Sequence, residues 1–100
     1  MADHVPMEFV INMPSDVEAG HYADFANIWH NRETFILDFI SMTRPPEPVQ
    51  DEAGQVVGAK TQASVVTRVR IPATQVWEVM KALETQLSAW EAERKAGGAG

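Results

Sequence analysis

The run YADFANIWHNRETFILDFISM, residues 22–42, contains a segment that is apolar on both sides of its pleat. Alternation along a strand sends Phe35, Leu37 and Phe39 to one face and Ile36, Ile40 and Met42 to the other. An antiparallel strand with one solvated face should instead alternate between apolar and polar residues. A chain of 100 residues has room for one long helix, which shelters one side of a sheet. The remaining oily face calls for a partner, most economically a second copy of the chain.

Size and charge narrow the classes of function. One hundred residues suit a single small domain, close to the limit at which burial offsets chain entropy. A hydrophobic content of 45% excludes wholesale disorder. The net charge of −6 has the wrong sign for a general phosphate-backbone binder, and the 8 Lys and Arg are scattered. Without cysteine there is no disulfide framework, thiolate nucleophile or cysteine zinc site. The opening residues do not read as a secretory signal, and no apolar run approaches the roughly 20 residues of a membrane span. The expectation is a soluble, cytoplasmic protein with no membrane contact.

Along the chain, residues 1–6 and 96–100 read as flexible tails around a single domain at 7–95. Residues 7–13 (MEFVINM) form a short run of strand formers ending at Pro14, which predicts a first strand. Residues 22–30 and 34–43 predict a hairpin, turning at His30-Asn31-Arg32-Glu33, where Asn tolerates positive φ. The first of these strands places Phe25 and Trp29 on one face and Tyr22, Asp24 and Ile28 on the other. Residues 44–58 hold three prolines and two glycines, which predicts a long exposed loop with a small turn near 51–54.

Residues 60–71 predict a fourth strand, with Ala63, Val65, Val69 and Ile71 on one face and Val66, Arg68 and Arg70 on the other. Pro72 suits the first turn of a helix. From there Val76, Val79, Met80, Leu83, Leu87 and Trp90 recur at helical spacing, and Gly97 and Gly98 end the pattern. A helix over 72–95 runs roughly 36 Å, against about 30 Å for a nine-residue strand, so Leu87 and Trp90 should overhang the sheet. The expected fold is α+β: a four-stranded antiparallel sheet (ββββ) followed by one long C-terminal amphipathic helix.

These residues resemble a family of small bacterial and archaeal proteins, the domain of unknown function 3467 family. The resemblance rests on Tyr22, Ala23 and Phe25, then Phe35, Leu37, Asp38 and Phe39, then Val65, Arg68, Val69 and Pro72. It covers about two-thirds of the chain, is specific only in combination, and implies a small stand-alone domain without supplying an activity. Ile71 departs from the family pattern, which places a Ser or similar cap before the proline, and this blurs the expected helix start.

Asp38 is the oddest residue, an acid within an apolar strand. A half-buried carboxylate requires a charge partner, so a structural pair with Arg68 or Arg70 is favoured over an interface ion pair or catalysis. His4, His21 and His30 form no metal motif, Gly54 and Gly58 lack the lysine and helix of a phosphate loop, and Ser15, Ser41, Ser64 and Ser88 lack an activating context. No cofactor, metal or catalytic residue is expected. Trp29 is expected to pack in the core with Phe25, whereas Trp77 lies off the helix stripe and suits an interface.

The leading expectation is a non-enzymatic homo-oligomeric interaction module, dimeric or higher. One surface would comprise Ile28, Ile36, Ile40, Met42 and Val66, and a second Trp77, Leu87 and Trp90. A holdase-like chaperone or adaptor, related only by fold-level analogy, is one alternative. A single-stranded nucleic-acid-binding module using Arg32, Arg68 and Arg70 is another, with nucleic acid the less favoured partner.

Overall fold

Phe25–His30 (β1) and Thr34–Met42 (β2) form the central hairpin of a computed structural model that describes residues 6–97. Three polar residues connect the strands, and Asn31 organises the turn through its side chain rather than through positive φ. Its carboxamide oxygen accepts from the Thr34 backbone N–H at 3.1 Å and the Glu33 N–H at 3.4 Å. The only residues with positive φ among those described are Gly20 and Gly54.

Glu47–Gln50 (β3) and Val56–Lys60 (β4) follow, then Ala63–Pro72 (β5), a 3₁₀ turn at Ala73–Gln75 and the helix Val76–Gly97 (α1). The fold is α+β, with antiparallel strands followed by one long C-terminal helix. The strands divide into a three-stranded sheet ordered β1-β2-β5 and a separate two-stranded sheet, β3-β4.

Several local expectations change. Residues 7–13 belong to no strand; they are exposed and carry no ladder hydrogen bonds. The proline-rich stretch is not simply a loop, because most of it folds as the β3-β4 hairpin. Asp51 closes that hairpin: its carboxylate accepts from the N–H groups of Ala53 and Gln55, each at 2.9 Å. Gly54 supplies a φ of 82° at the same turn, a conformation costly for residues with a Cβ. Pro45 and Pro46 separate this hairpin from β2, since neither donates a ladder bond. The hairpin thereby prolongs the β2-β5 ribbon as an exposed arm.

The first strand begins at Phe25 rather than residue 22. Asp24 stays outside and its carboxylate accepts from the Met42 N–H at 2.7 Å, closing the end of the ribbon. Pro72 ends β5 in an extended conformation (φ −66°, ψ 147°), so regular α-helix starts four residues later than the proline signal implied. The expected tails fall mainly on residues 1–5 and 98–100, which lie outside the described residues, as does His4; α1 itself runs through Gly97.

Register defines two faces. Trp29 opposes Ile36, Asn27 opposes Asp38 and Phe25 opposes Ile40. On the far side of β2, Ile36 opposes Arg70 and Asp38 opposes Arg68. Directly opposed residues share a face, so all of these lie on one side, here called the ion-pair face. Ile28, Phe35, Leu37, Val69 and Ile71 lie on the other, the helix face.

A bulge between Phe39 and Ile40 shifts the register so that Ile40 opposes Val65 and Met42 opposes Ala63. Val65 and Ala63 therefore sit on the ion-pair face, and Val66 is the extra residue of the bulge. Simple alternation had put Val65 and Ala63 with Val69 and Ile71. One inserted residue reverses every face assignment beyond it.

The base of α1 meets the helix face. Val76, Val79, Met80 and Leu83 line a crevice of about 100 Å³ with Ile28, Phe35, Leu37 and Ile71. Beyond that turn the helix leaves the sheet. At 1.5 Å per residue its 22 residues run about 33 Å, and none of them is buried. The molecule is correspondingly drawn out, with a radius of gyration of 20.5 Å against about 13 Å for a compact domain of this length.

Candidate self-association surface

The buried part of the protomer is small and lies on the ion-pair face. Ile36 is the one buried hydrophobic residue among those described, and Asp38 the one buried charged residue, at 2% and 5% exposure. Both face away from α1. Both stand on the central strand between cross-strand neighbours on β1 and β5: Trp29 and Arg70 oppose Ile36, and Asn27 and Arg68 oppose Asp38.

Asp38 is held from two strands. Arg68 donates through Nε to Oδ1 at 2.5 Å and through Nη2 to Oδ2 at 3.0 Å. Trp29 donates its indole N–H to Oδ2 at 3.3 Å. The guanidinium also lies 5.7 Å from the Trp29 ring centroid, within cation–π range. The bidentate bond to Arg68 outweighs burial and, with the Trp29 bond, holds the Asp38 carboxyl below its ordinary range. The carboxylate in turn raises the Arg68 pKa. With both oxygens occupied, this carboxylate is a fixed acceptor rather than a free base.

Arg70 lies on the same face opposite Ile36, not Asp38, and makes no ion pair among the described residues. Trp29 shares a face with Phe25 but is not packed in a core. It is 45% exposed and roofs the ion pair.

The residues expected to form one apolar surface are divided between faces. Ile36, Ile40 and Met42 share the ion-pair face, where Ile36 is already covered and Ile40 half-covered. Met42 remains exposed at the strand end. Ile28 lies on the helix face opposite Leu37, and Val66 is displaced by the bulge. A single patch built from all five is therefore ruled out by the register. Sequence parity missed the division because it carried Ile28 on the wrong phase relative to β2.

On α1 the picture is simpler. Met80, Leu83, Leu87 and Trp90 form an exposed stripe, and Trp77 is exposed beside it. Arg94 stacks over the Trp90 ring at 4.9 Å, marking the polar end of the stripe. Its near end runs into the crevice over Ile28 and Leu37, so helix stripe and helix face form one continuous apolar surface.

The total accessible surface measures the shortfall in burial. It is 9217 Å², whereas a compact monomer of 11.1 kDa exposes about 5,700 Å². Half of the roughly 3,500 Å² difference, covered on each of two protomers, falls within the range of obligate homodimers.

Among the described residues no group of three or more His, Cys, Asp or Glu is placed to hold a metal. Nor is any helix long and apolar enough to cross a membrane. The sequence profile of a family described as Protein of unknown function (DUF3467) matches residues 1–95. The chain belongs to that family. No curated protein and no solved structure matches it.

Proposed function

We propose that this DUF3467 protein is a non-enzymatic interaction module that acts as a homo-oligomer, at minimum a dimer. The observation carrying the proposal is the uncovered apolar stripe of α1, continuous with the helix face of the sheet. A helix bearing such a stripe gains most of its stability from packing, and contiguous exposed apolar surface marks interaction sites. Two protomers crossing their helices over one another's sheets cover both surfaces together. Trp77, Leu87 and Trp90 then serve as anchors, as large aromatics do at interface centres. A cytoplasmic location is part of the proposal, and cell fractionation tests it.

Size-exclusion chromatography with light scattering is the direct experiment. Two or more protomers per particle at micromolar concentration are expected, with a Tm that rises with protein concentration. A monomer that unfolds cooperatively, at a concentration-independent Tm, would refute the proposal.

The same stripe supports a second reading, a holdase-like chaperone or adaptor, because exposed apolar surface also captures unfolded clients. Suppression of a model client's aggregation by the assembled oligomer, lost in helix-stripe variants, would favour that reading. Single-strand nucleic-acid binding is the weaker alternative. Arg68 is engaged by Asp38, and the net charge is −6.

A further inference from the structure

We propose that residues 7–13 form an exchanged arm, adding as a strand to the open edge of β5 in a second copy of the chain. This inference rests on the self-association proposed above and names a second contact within it.

The arm has the pattern of a half-buried strand but no place on its own sheet. Met7, Phe9, Ile11 and Met13 alternate with Glu8, Val10 and Asn12. Val10 and Ile11 nevertheless stay 96% and 87% exposed. Seven residues of this character cost free energy in water, and their backbone groups carry no ladder bonds. Two successive turns follow, with Val17 donating to the Pro14 carbonyl and Gly20 to the Val17 carbonyl, each at 3.0 Å. The arm is thus set apart from β1 by a folded connection.

The receiving edge is chosen by length, charge and phase. The strand order β1-β2-β5 leaves β1 and β5 as edges. β1 has 6 residues and bears neither Lys nor Arg, whereas β5 has 10 and carries Arg68 and Arg70 on its ion-pair face. Glu8 is the one charged residue of the arm, and Arg70 is a cation without an ion pair among the described residues.

Docking that sets Phe9 opposite Val69 satisfies both faces. Phe9 and Ile11 then extend the helix face beside Val69, where α1 also brings its stripe. Glu8 and Val10 fall on the ion-pair face beside Arg68 and Arg70. Phe9 meets Val69 whichever way the arm runs, but Glu8 stands opposite Arg70 rather than the engaged Arg68 only when the arm is antiparallel to β5, so the charge pairing selects that direction. Main-chain bonds supply affinity and alternate side chains supply register, as in strand addition generally. Covering β5 also removes an open edge that invites aggregation.

The absence of native cysteine makes disulfide trapping clean. Full-length Phe9→Cys and Val69→Cys chains are mixed and oxidised, and the linked peptides are identified by mass spectrometry. Opposed strand residues lie within disulfide reach. A 9–69 bond between chains is expected at least tenfold above the control pairing of Val10→Cys with Val69→Cys, whose side chains point to opposite faces. Glu8→Lys should lower the yield, and adding Arg70→Glu to the partner should restore it.

In the double variant Phe9→Cys/Val69→Cys, a disulfide-closed single chain would show the arm folding onto its own sheet and overturn the exchange. No 9–69 bond in an otherwise oligomeric protein would overturn the docking site while leaving self-association intact. A monomeric unmodified chain would instead remove the functional proposal beneath it.

Discussion

Arg68 grips Asp38 across the β2-β5 ladder with two parallel hydrogen bonds, and the two residues stand directly opposite in register. The side of the sheet that α1 leaves bare is thus closed by an ion pair rather than by oil. Removing the half-exposed Arg68 leaves the buried Asp38 carboxylate without its charge partner, whereas Arg70 makes no such bond. Arg68→Met should therefore lower Tm by several degrees, and Arg70→Met by clearly less. Thermal unfolding followed by circular dichroism distinguishes them; equal effects would show that the pair contributes no more than a surface cation.

Acid should act through the same pair. The folded Asp38 carboxyl titrates below its ordinary value of 3.8 because ionised Asp38 is bonded to Arg68 and Trp29. A depressed carboxylate pKa gives stability that is fully present above the unfolded value and is lost as pH falls through the folded one. Urea midpoints attributable to Asp38 should hold steady above about pH 5 and fall progressively below about pH 4. Asp38→Asn should be less stable at neutral pH and show a shallower acid slope. An unchanged slope would mean that other carboxylates control acid unfolding.

Trp29 tests whether the lid over the ion pair matters apart from its area. Trp29→Phe keeps most of the ring but removes the indole donor to Asp38 Oδ2. A neutral hydrogen bond to a charged acceptor contributes about 1.5–3 kcal/mol at best, and less at 3.3 Å on a half-exposed residue. A loss of about 1 kcal/mol or less is expected, accompanied by an upward shift in the Asp38 pKa measurable by carboxylate NMR. Loss of stability without that shift would assign Trp29 a packing role alone.

Much of this arrangement was legible in the sequence. The β2 alternation placed Asp38 with Ile36, and the arginine spacing in β5 supplied its partner. The helix stripe and the strand-then-helix order also followed from periodicity. Three features were not legible. The bulge beside Ile40 transfers Val65 and Ala63 to the opposite face, and nothing local in VVTRV marks the extra residue. The hairpin in the proline-rich stretch depends on Asp51 accepting two backbone N–H groups, an effect that composition hides. Residues 7–13 carry a strand pattern that no strand among the described residues satisfies. Periodicity reports which residues seek burial, but not whether the covering surface belongs to the same chain.

Core and stripe should respond differently to truncation. Ile36 is 2% exposed, so Ile36→Ala removes buried methylenes and should cost about 2–4 kcal/mol. Leu87 is exposed on the protomer; Leu87→Ala should change the stability of a dissociated chain by about 0.5 kcal/mol or less. At micromolar concentration Leu83→Glu with Leu87→Glu should weaken self-association at least tenfold while retaining the helical circular dichroism signal. An assembly unaffected by both charges would place the interface away from α1.

The β3-β4 hairpin offers the last test. It is exposed along nearly its whole length, and a lone two-stranded ribbon is marginal in water. Its attachment to the body is narrow: Thr43 donates to the Gln62 carbonyl at 2.9 Å, and the Thr61 hydroxyl bonds the Arg44 carbonyl. The main ladder closes at Met42 and Ala63, so residues 45–60 can be replaced by a short glycine-containing turn without disturbing the β2-β5 register. The shortened chain should retain its sheet and helix, with stability changed by no more than about 1 kcal/mol, because shortening a connection alters closure entropy only slowly. If it also keeps its oligomeric state, the hairpin lies outside the interface. Loss of assembly with the protomer still folded would instead make the hairpin a third contact between copies.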